Sequence, residues 1–252
     1  MDKLSYYDCH CSIGRVGYPL LLGIADVSGL KKEMAVAGVE RALVSHALAR
    51  AGDPVLGNSR LMTEIAGDPD LGPVWFLLPH HTGEMPSPWR LLEDLKAGGV
   101  RAVRMDPGRA HHSFSLAEWC AGELLEGLED ARLPLILDAD IVTWDEVRDL
   151  LDRRARLPLI MANCSYRHNR FLYPLFERYA NLYVDTSRFL GAGTIEDVVR
   201  RFGPRPLLFG TNMPRYTGTA AVGRIAYAEI ERADKDAIAG GNLTRIIGET
   251  WT

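Results

Sequence analysis

LPLILDADIVTWDEVRDLLDRRARLPLIMANC, residues Leu133–Cys164, decides the fold. Its two ends, LPLILD and LPLIM, are short apolar runs of the length of a buried strand. Between them Thr143 and Glu146 make a capping box that opens a helix through Leu151. Two strands separated by a helix need a crossover connection, so they lie parallel in one sheet. The same unit repeats in both directions. LSYYDCH from Leu4, RALVSH from Arg41, PVWFLLP from Pro73 and RAVRM from Arg101 come before it; NLYVD from Asn181 and RPLLFG from Arg205 come after. Helical stretches lie between the runs. One starts at Leu91 and stops at Gly98 and Gly99; another is opened by Thr194 and ends near Phe202, before Gly203. Eight strands at intervals of roughly 25 to 35 residues predict an α/β protein, a (β/α)8 TIM barrel that forms a single domain. That domain is expected to span residues 1–252. A doubly wound open sheet is the competitor, but it usually carries a Gly-rich phosphate turn after its first strand. IGRVGYP, Ile13–Pro19, lacks the GxGxxG pattern.

Bulk properties narrow the function classes. The chain is 47% hydrophobic and 25% charged, as a globular protein is, and its formal net charge of −4 gives no reason to expect nucleic acid as a partner. No apolar run approaches the roughly 18 residues of a membrane span, so no membrane partner is expected. The first residues, MDKLSYYD, lack the apolar core of a signal peptide, and the four cysteines do not read as a disulfide framework. The expected setting is a reduced cytoplasm.

In a barrel, chemistry sits at the C-terminal ends of the strands. In chain order those ends carry His10, His46, His80 with His81, Arg104 with Asp106, Asp138 with Asp140, Asn163 with Cys164, Asp185 with Ser187 and Arg188, and Asn212. Strands that merely end at solvent would carry Ser, Gly and Lys as readily, so the pattern points to a functional cleft. Side chains alternate along a strand. Asp8, His10 and Ser12 are therefore expected on one face, converging with Asp138, Asn163 and Asn212 at the mouth. Cys9 and Cys11 are expected to point away from it. Their C-x-C spacing, with no second Cys/His pair, does not make a tetrahedral zinc site.

D-x-H at the end of the first strand, followed soon by Gly14, resembles the entry signature of the amidohydrolase superfamily. So do GNSRLMTEIAGDPD from Gly57, LKAGGVRAVRM from Leu95, YANLYVDTS from Tyr179, FGPRPLLFGTNMP from Phe202 and GGNLTRIIG from Gly240, in that order. The whole chain resembles the second amidohydrolase branch, which groups aminocarboxymuconate-semialdehyde decarboxylase-like enzymes, dihydroxybenzoate decarboxylases and metal-independent dicarboxylate lactonases. The resemblance implies a metal-dependent hydrolase on a TIM barrel, with zinc as the metal. It departs at the ligands. The family pattern has a second histidine on strand one where Ser12 stands, histidines where Asp138 and Asn163 stand, and an aspartate where Asn212 stands.

An amide oxygen is a weak donor for zinc, so His10, Asp138, Asn163 and Asn212 make a metal set that holds a divalent ion loosely or not at all. Asn212 also has no pKa near neutrality and does not serve as the base for a metal-bound water. The catalytic candidates are then His10, Asp138 and the loop histidine His80. Substrate-binding candidates are Arg104, His81, Arg167, His168, Arg188, Asn212 and Arg215. Several guanidiniums around one cleft suit a small molecule bearing carboxylates. Three readings stay open: a hydrolase acting on a small carboxylated substrate, a decarboxylase or other lyase of the same family, and a barrel without catalysis that binds a ligand or partner. Related barrels often pair, which allows a homodimer.

Overall fold

The computed structural model describes residues 3–15, 24–189 and 191–251. From residue 16 the IGRVGYP stretch lies outside the described residues, as do Met1 and Asp2 of the N-terminal stretch. Eight strands follow one another in a single parallel sheet in chain order. They are β1 Tyr6–Ile13, β2 Val39–His46, β3 Leu71–Phe76, β4 Ala102–Arg104, β5 Leu135–Asp138, β6 Leu159–Ala162, β7 Leu182–Asp185 and β8 Leu207–Leu208. Each overlaps an apolar run read from the sequence; β1 runs on past His10, β2 and β3 each begin two residues before their runs, and β6 ends one residue after its run. The end of the sheet returns to its start, with Cys9 N–H donating to the Phe209 carbonyl and Ser12 N–H to that of Met213, both at 2.9 Å. The result is a nearly closed single-domain (β/α)8 barrel.

The helices are α1 Val27–Ala37, α2 Ala47–Ala51, α3 Pro54–Glu64, α4 Pro88–Ala97, α5 Glu118–Asp130, α6 Trp144–Arg153, α7 Asn169–Arg178, α8 Thr194–Phe202, α9 Gly218–Ala226, α10 Arg232–Asp236 and α11 Asn242–Gly248. The Thr143–Glu146 capping box opens α6 as expected. α4 begins three residues earlier than the Leu91 reading, because Pro88 supplies a pre-set first helical residue. No helix among the described residues is long and apolar enough to cross a membrane.

Two apolar layers hold the barrel. Tyr7, Cys9, Leu43, Val74, Ile136 and Ile160 pack inside it, closed from below by Leu243 and Ile246 of α11. A larger layer, including Leu30, Leu95, Leu125 and Val147, lies between strands and helices. Each fully buried aliphatic side chain contributes roughly 1.5–3 kcal/mol.

The alternation expected of β1 fails at one point. Asp8 is opposite Ala42 and Cys11 opposite Val44, so three steps on β1 match two on β2, a β-bulge. The extra residue separates the two cysteines: Cys9 joins Tyr7 inside the barrel, and Cys11 lies in the outer layer. Cys9 therefore does not point away with Cys11, and Asp8 does not share a face with His10. Asp8 turns outward, fully buried, and its carboxylate accepts from the backbone N–H of His10 (2.8 Å) and Thr211 (3.1 Å), the Thr211 hydroxyl and the Cys11 thiol (3.0 Å). It ties β1 to the segment after β8. Burial pushes its pKa up to about 7, against the lowering effect of those donors. All four cysteines are free thiols.

Candidate functional site

A cavity of about 480 Å³ opens at the C-terminal mouth. Its wall includes His10 and Ser12 of β1, His46 at the end of β2, Arg50 of α2, Phe76 of β3, Arg104 of β4, and Asn212 and Arg215 beyond β8. Parallel strands deliver these side chains to one end. The bulge in β1 restores His10 and Ser12 to the inner side above Cys9.

His10 is 6% exposed. Its Nδ1 lies 2.7 Å from Asp185 Oδ2, while the Ser187 hydroxyl and backbone N–H also donate to Asp185, each at 2.7 Å. Gly210 makes this possible: a Cβ there would stand 2.0 Å from Asp185 Oδ1. Burial lowers the His10 pKa below its ordinary 6.5 and outweighs the pull of Asp185. Burial tends to raise Asp185, but His10 and the Ser187 donors overcome it and hold the carboxyl below the usual range. The pair is thus a neutral imidazole donating Nδ1–H to a carboxylate.

A second network lies behind the wall. Asp138 Oδ2 accepts from Arg50 Nη2 at 3.0 Å and Asn163 Nδ2 at 2.6 Å, and Oδ1 from Asp140 N–H at 3.0 Å. Asn163 Oδ1 accepts from Asn212 Nδ2 at 2.8 Å, and Arg50 Nε donates to Asp106 Oδ2 at 3.0 Å. Burial works to raise the Asp138 pKa, yet Arg104, Asp140 N–H, Arg50 and Asn163 together bring it below the ordinary value. Asn163 and Asn212 both have left-handed backbones, φ 60° and 56°. Asn tolerates that region better than most side chains, which gives both residues a backbone reason to be Asn.

Arg104 is 3% exposed, with its guanidinium carbon 5.6 Å from the centre of the Phe76 ring. Its Nε and Nη2 have no hydrogen-bond partner among the described residues. His46 is also buried. Its Nδ1 accepts from Leu48 N–H at 3.1 Å, which leaves the ring proton on Nε2. Gly14, at φ 92°, makes room for that ring: a Cβ would lie 2.7 Å from it.

The resemblance implied a divalent metal on His10, Asp138, Asn163 and Asn212. These residues do not fit one. The Asp138 carboxylate is engaged by an Arg, an amide and a backbone N–H, and the two Asn side chains bond to each other. The guanidiniums of Arg50 and Arg104 already supply positive charge to Asp138, so a further cation would be repelled. Among the described residues, no group of three or more His, Cys, Asp or Glu is placed to hold a metal ion.

Of the catalytic, substrate-binding and metal candidates named from the sequence, His10, Arg104, Asn212 and Arg215 come together around the cavity, with Asp138 and Asn163 behind them. The others stand apart from its wall. His80 packs its ring on His81, whose Nε2 reaches the Cys120 carbonyl at 3.2 Å. Arg167 lies exposed over the Tyr166 ring. His168 Nδ1 accepts from Ser165 N–H, and its ring packs on Trp144. Arg188 donates to Asp140 at 2.6 Å. Sequence reasoning gave Arg50 no role, because it lies on a helical turn past its strand. It noted Asp185 at a strand end without linking it to His10.

No protein of curated function matches the sequence. Among solved structures, an uncharacterised TIM-barrel protein from Bordetella bronchiseptica is 18% identical with a TM-score of 0.75, covering 98% of this chain and 99% of that one. A 2,6-dihydroxybenzoate decarboxylase from Rhizobium is 16% identical with a TM-score of 0.75, covering 98% and 99%. A dihydroxybenzoic acid decarboxylase from Polaromonas sp. JS666, solved with manganese and the inhibitor 2-nitroresorcinol, is 14% identical with a TM-score of 0.72, covering 98% and 97%. At these identities the likeness speaks for the barrel alone. The family is given by a sequence model, described as amidohydrolase, that matches residues 8–248. From β1, with its Asp8 and His10, to α11, the chain belongs to the amidohydrolase family.

Proposed function

We propose that this barrel is an enzyme that hydrolyses a small carboxylate-bearing ester or lactone, with His10 moving the proton. The observation that carries this reading is the neutral His10 imidazole paired with the Asp185 carboxylate, at the wall of a cavity that also presents Arg50, Arg104 and Arg215. With Nδ1–H given to Asp185, Nε2 is the ring's proton acceptor. In this reading Nε2 takes a proton from water as the water oxygen attacks the substrate carbonyl carbon. The developing oxyanion is stabilised by guanidinium charge. Collapse breaks the bond to the leaving alkoxide, which recovers the proton from His10. Asp138, ionised and bonded on both oxygens, orients Arg50 and Asn163 and takes no part in proton transfer. No step uses a metal.

Decarboxylation is the second reading. The decarboxylases among the similar structures favour it, and so does Asn212, which is no base for an activated water. An arginine gripping the departing carboxylate works against it, because it stabilises a charge that the neutral product CO2 lacks. A barrel that binds without turning over is the third.

The test is to incubate the protein with carboxylated lactones, esters and hydroxybenzoates, following acid release and CO2 separately. The expected result is hydrolysis with release of one acid equivalent, lost in His10→Asn. CO2 release from a hydroxybenzoate would replace the reading with a lyase, and binding without either product would leave a ligand-binding barrel.

A further inference from the structure

A second cavity, of about 520 Å³, lies outside the barrel, in the groove between α3 and α4. Its volume is that of a small-molecule site. α3 lines it with Val55 and Met62, the loop before α4 with Met85, α4 with Leu91, and β3 with Trp75. Side chains alternate along β3, so Trp75 turns to this groove while Phe76 turns to the mouth. Among the described residues, the charged side chains of the lining are Glu84 and Asp94, both acidic. Glu84 is exposed and accepts from the Thr82 hydroxyl at 2.7 Å. Asp94 lies 3.4 Å from Arg90 Nε, and Arg90 is shared with Glu93 at 3.3 Å, so the acids of the groove outnumber the cation beside them. The mouth has the opposite sign, with Arg50, Arg104 and Arg215 in its wall. Trp75 adds a second observation. Its Nε1 is buried and has no hydrogen-bond partner among the described residues, whereas a buried indole N–H ordinarily finds an acceptor. Asn58 lines the same groove but does not supply one. Its Nδ2 donates to the Phe76 carbonyl at 2.8 Å, and its Oδ1 accepts from the Phe76 N–H at 2.9 Å. Met62 and Met85 are unbranched and repack readily around a guest.

We propose that this groove is a binding site for a small apolar amine that carries a hydrogen-bond-accepting oxygen. The ammonium meets Glu84 and Asp94, the carbon body packs on Met62, Leu91 and Trp75, and the oxygen accepts from Trp75 Nε1 as the methionines repack. Charge keeps this site apart from the mouth. The arginines of the mouth repel an ammonium, and the acids of the groove repel a carboxylate. The site stands independently of any reaction at the mouth.

The test is calorimetric titration of the full chain with tyramine, whose ammonium, ring and phenol oxygen supply the three features. Phenethylamine lacks the oxygen, and 4-ethylphenol lacks the charge. Tyramine is expected to bind the wild type with a Kd of roughly 1 mM or below. Phenethylamine is expected to bind roughly 2- to 10-fold more weakly, as for one neutral hydrogen bond. 4-Ethylphenol is expected to bind roughly 5- to 20-fold more weakly, as for two partly exposed charge contacts. Glu84→Gln combined with Asp94→Asn is expected to weaken tyramine by that same factor and to leave 4-ethylphenol unchanged. Trp75→Phe removes the N–H, and is expected to erase the difference between tyramine and phenethylamine. Where Trp75→Phe does not fold, the acid variant and the comparison of the three ligands on the wild type decide. Wild type that binds no tyramine up to roughly 10 mM, that binds either comparison ligand equally well, or that loses nothing on removal of the two acids would each overturn the proposal. So would a dimer in sedimentation that Met62→Lys dissociates, because a second copy of the chain would then cover the groove.

Discussion

The basicity of His10 is set by two opposed environments. Burial lowers its pKa from 6.5, and Asp185, fixed by Ser187, pulls it back. A base with a depressed pKa is in its working form across neutral pH and fails when the medium becomes acid enough to protonate it. The pH profile of kcat/KM for the hydrolytic reaction is therefore expected to be flat through neutrality and to fall only below pH 6.5. An acid limb centred above that value would remove His10 as the base. Asp185→Asn is expected to lower kcat by roughly 10²- to 10⁴-fold with little change in KM, because an amide can donate to Nδ1 and move the proton to Nε2. A fall confined to KM would show that Asp185 serves binding. His10 was legible as a candidate in the sequence because it ends the first strand. Its partner was not assignable, since Asp185 is distant in the chain and only closure of the barrel brings the two together.

At the scale of the strands, the seam between β1 and β8 is closed by side chains as much as by backbone. Asp8 is central to it, and its raised pKa, about 7, sets the sign of a pH effect. A carboxyl that holds its proton more tightly folded than unfolded favours the fold in acid. That contribution is lost as pH rises from the ordinary carboxylate range through about 7. Thr211→Val removes a donor to the ionised form, so its loss of stability is expected to be larger at about pH 8 than at about pH 5.5, which urea melts at the two values would measure. An equal loss at both would mean that Asp8 keeps one protonation state throughout. Gly210→Ala tests the neighbouring segment. Its Cβ would overlap Asp185 Oδ1, so the variant is expected to lose roughly 1–3 kcal/mol of stability along with the His10 contact, visible as a lower Tm and a lower kcat. The bulge itself could not be read from β1. It is a mismatch with β2, and a period-two pattern written along one strand holds no record of its neighbour's register.

Over the whole molecule, the eight strands were readable because a parallel sheet covered on both faces makes near-continuous apolar runs. The membership of the mouth was less readable. Arg188 lies after β7 as the pattern requires, yet turns to Asp140; His81 follows β3 and reaches the Cys120 carbonyl. Arg50 enters from beyond its strand and joins Asp106 to Asp138. Loop conformation decides such cases, and it depends on partners from other parts of the chain. Because arginines carry the positive charge of this mouth, exhaustive chelation is expected to leave ligand affinity and turnover unchanged, and elemental analysis is expected to find no stoichiometric zinc. Chelator-resistant zinc at one per chain would refute this. The left-handed backbones of Asn163 and Asn212 bear on protein engineering. A library that places His at 163 or Asp at 212 to build a metal centre keeps residue types that tolerate this backbone, but each exchange removes an amide donor, that of Asn163 to Asp138 or that of Asn212 to Asn163, before any metal is available to compensate. Productive routes would first release Asp138 from Arg50 and only then exchange the ligands, so the order of mutations, and not just their sum, governs whether such a centre can be reached.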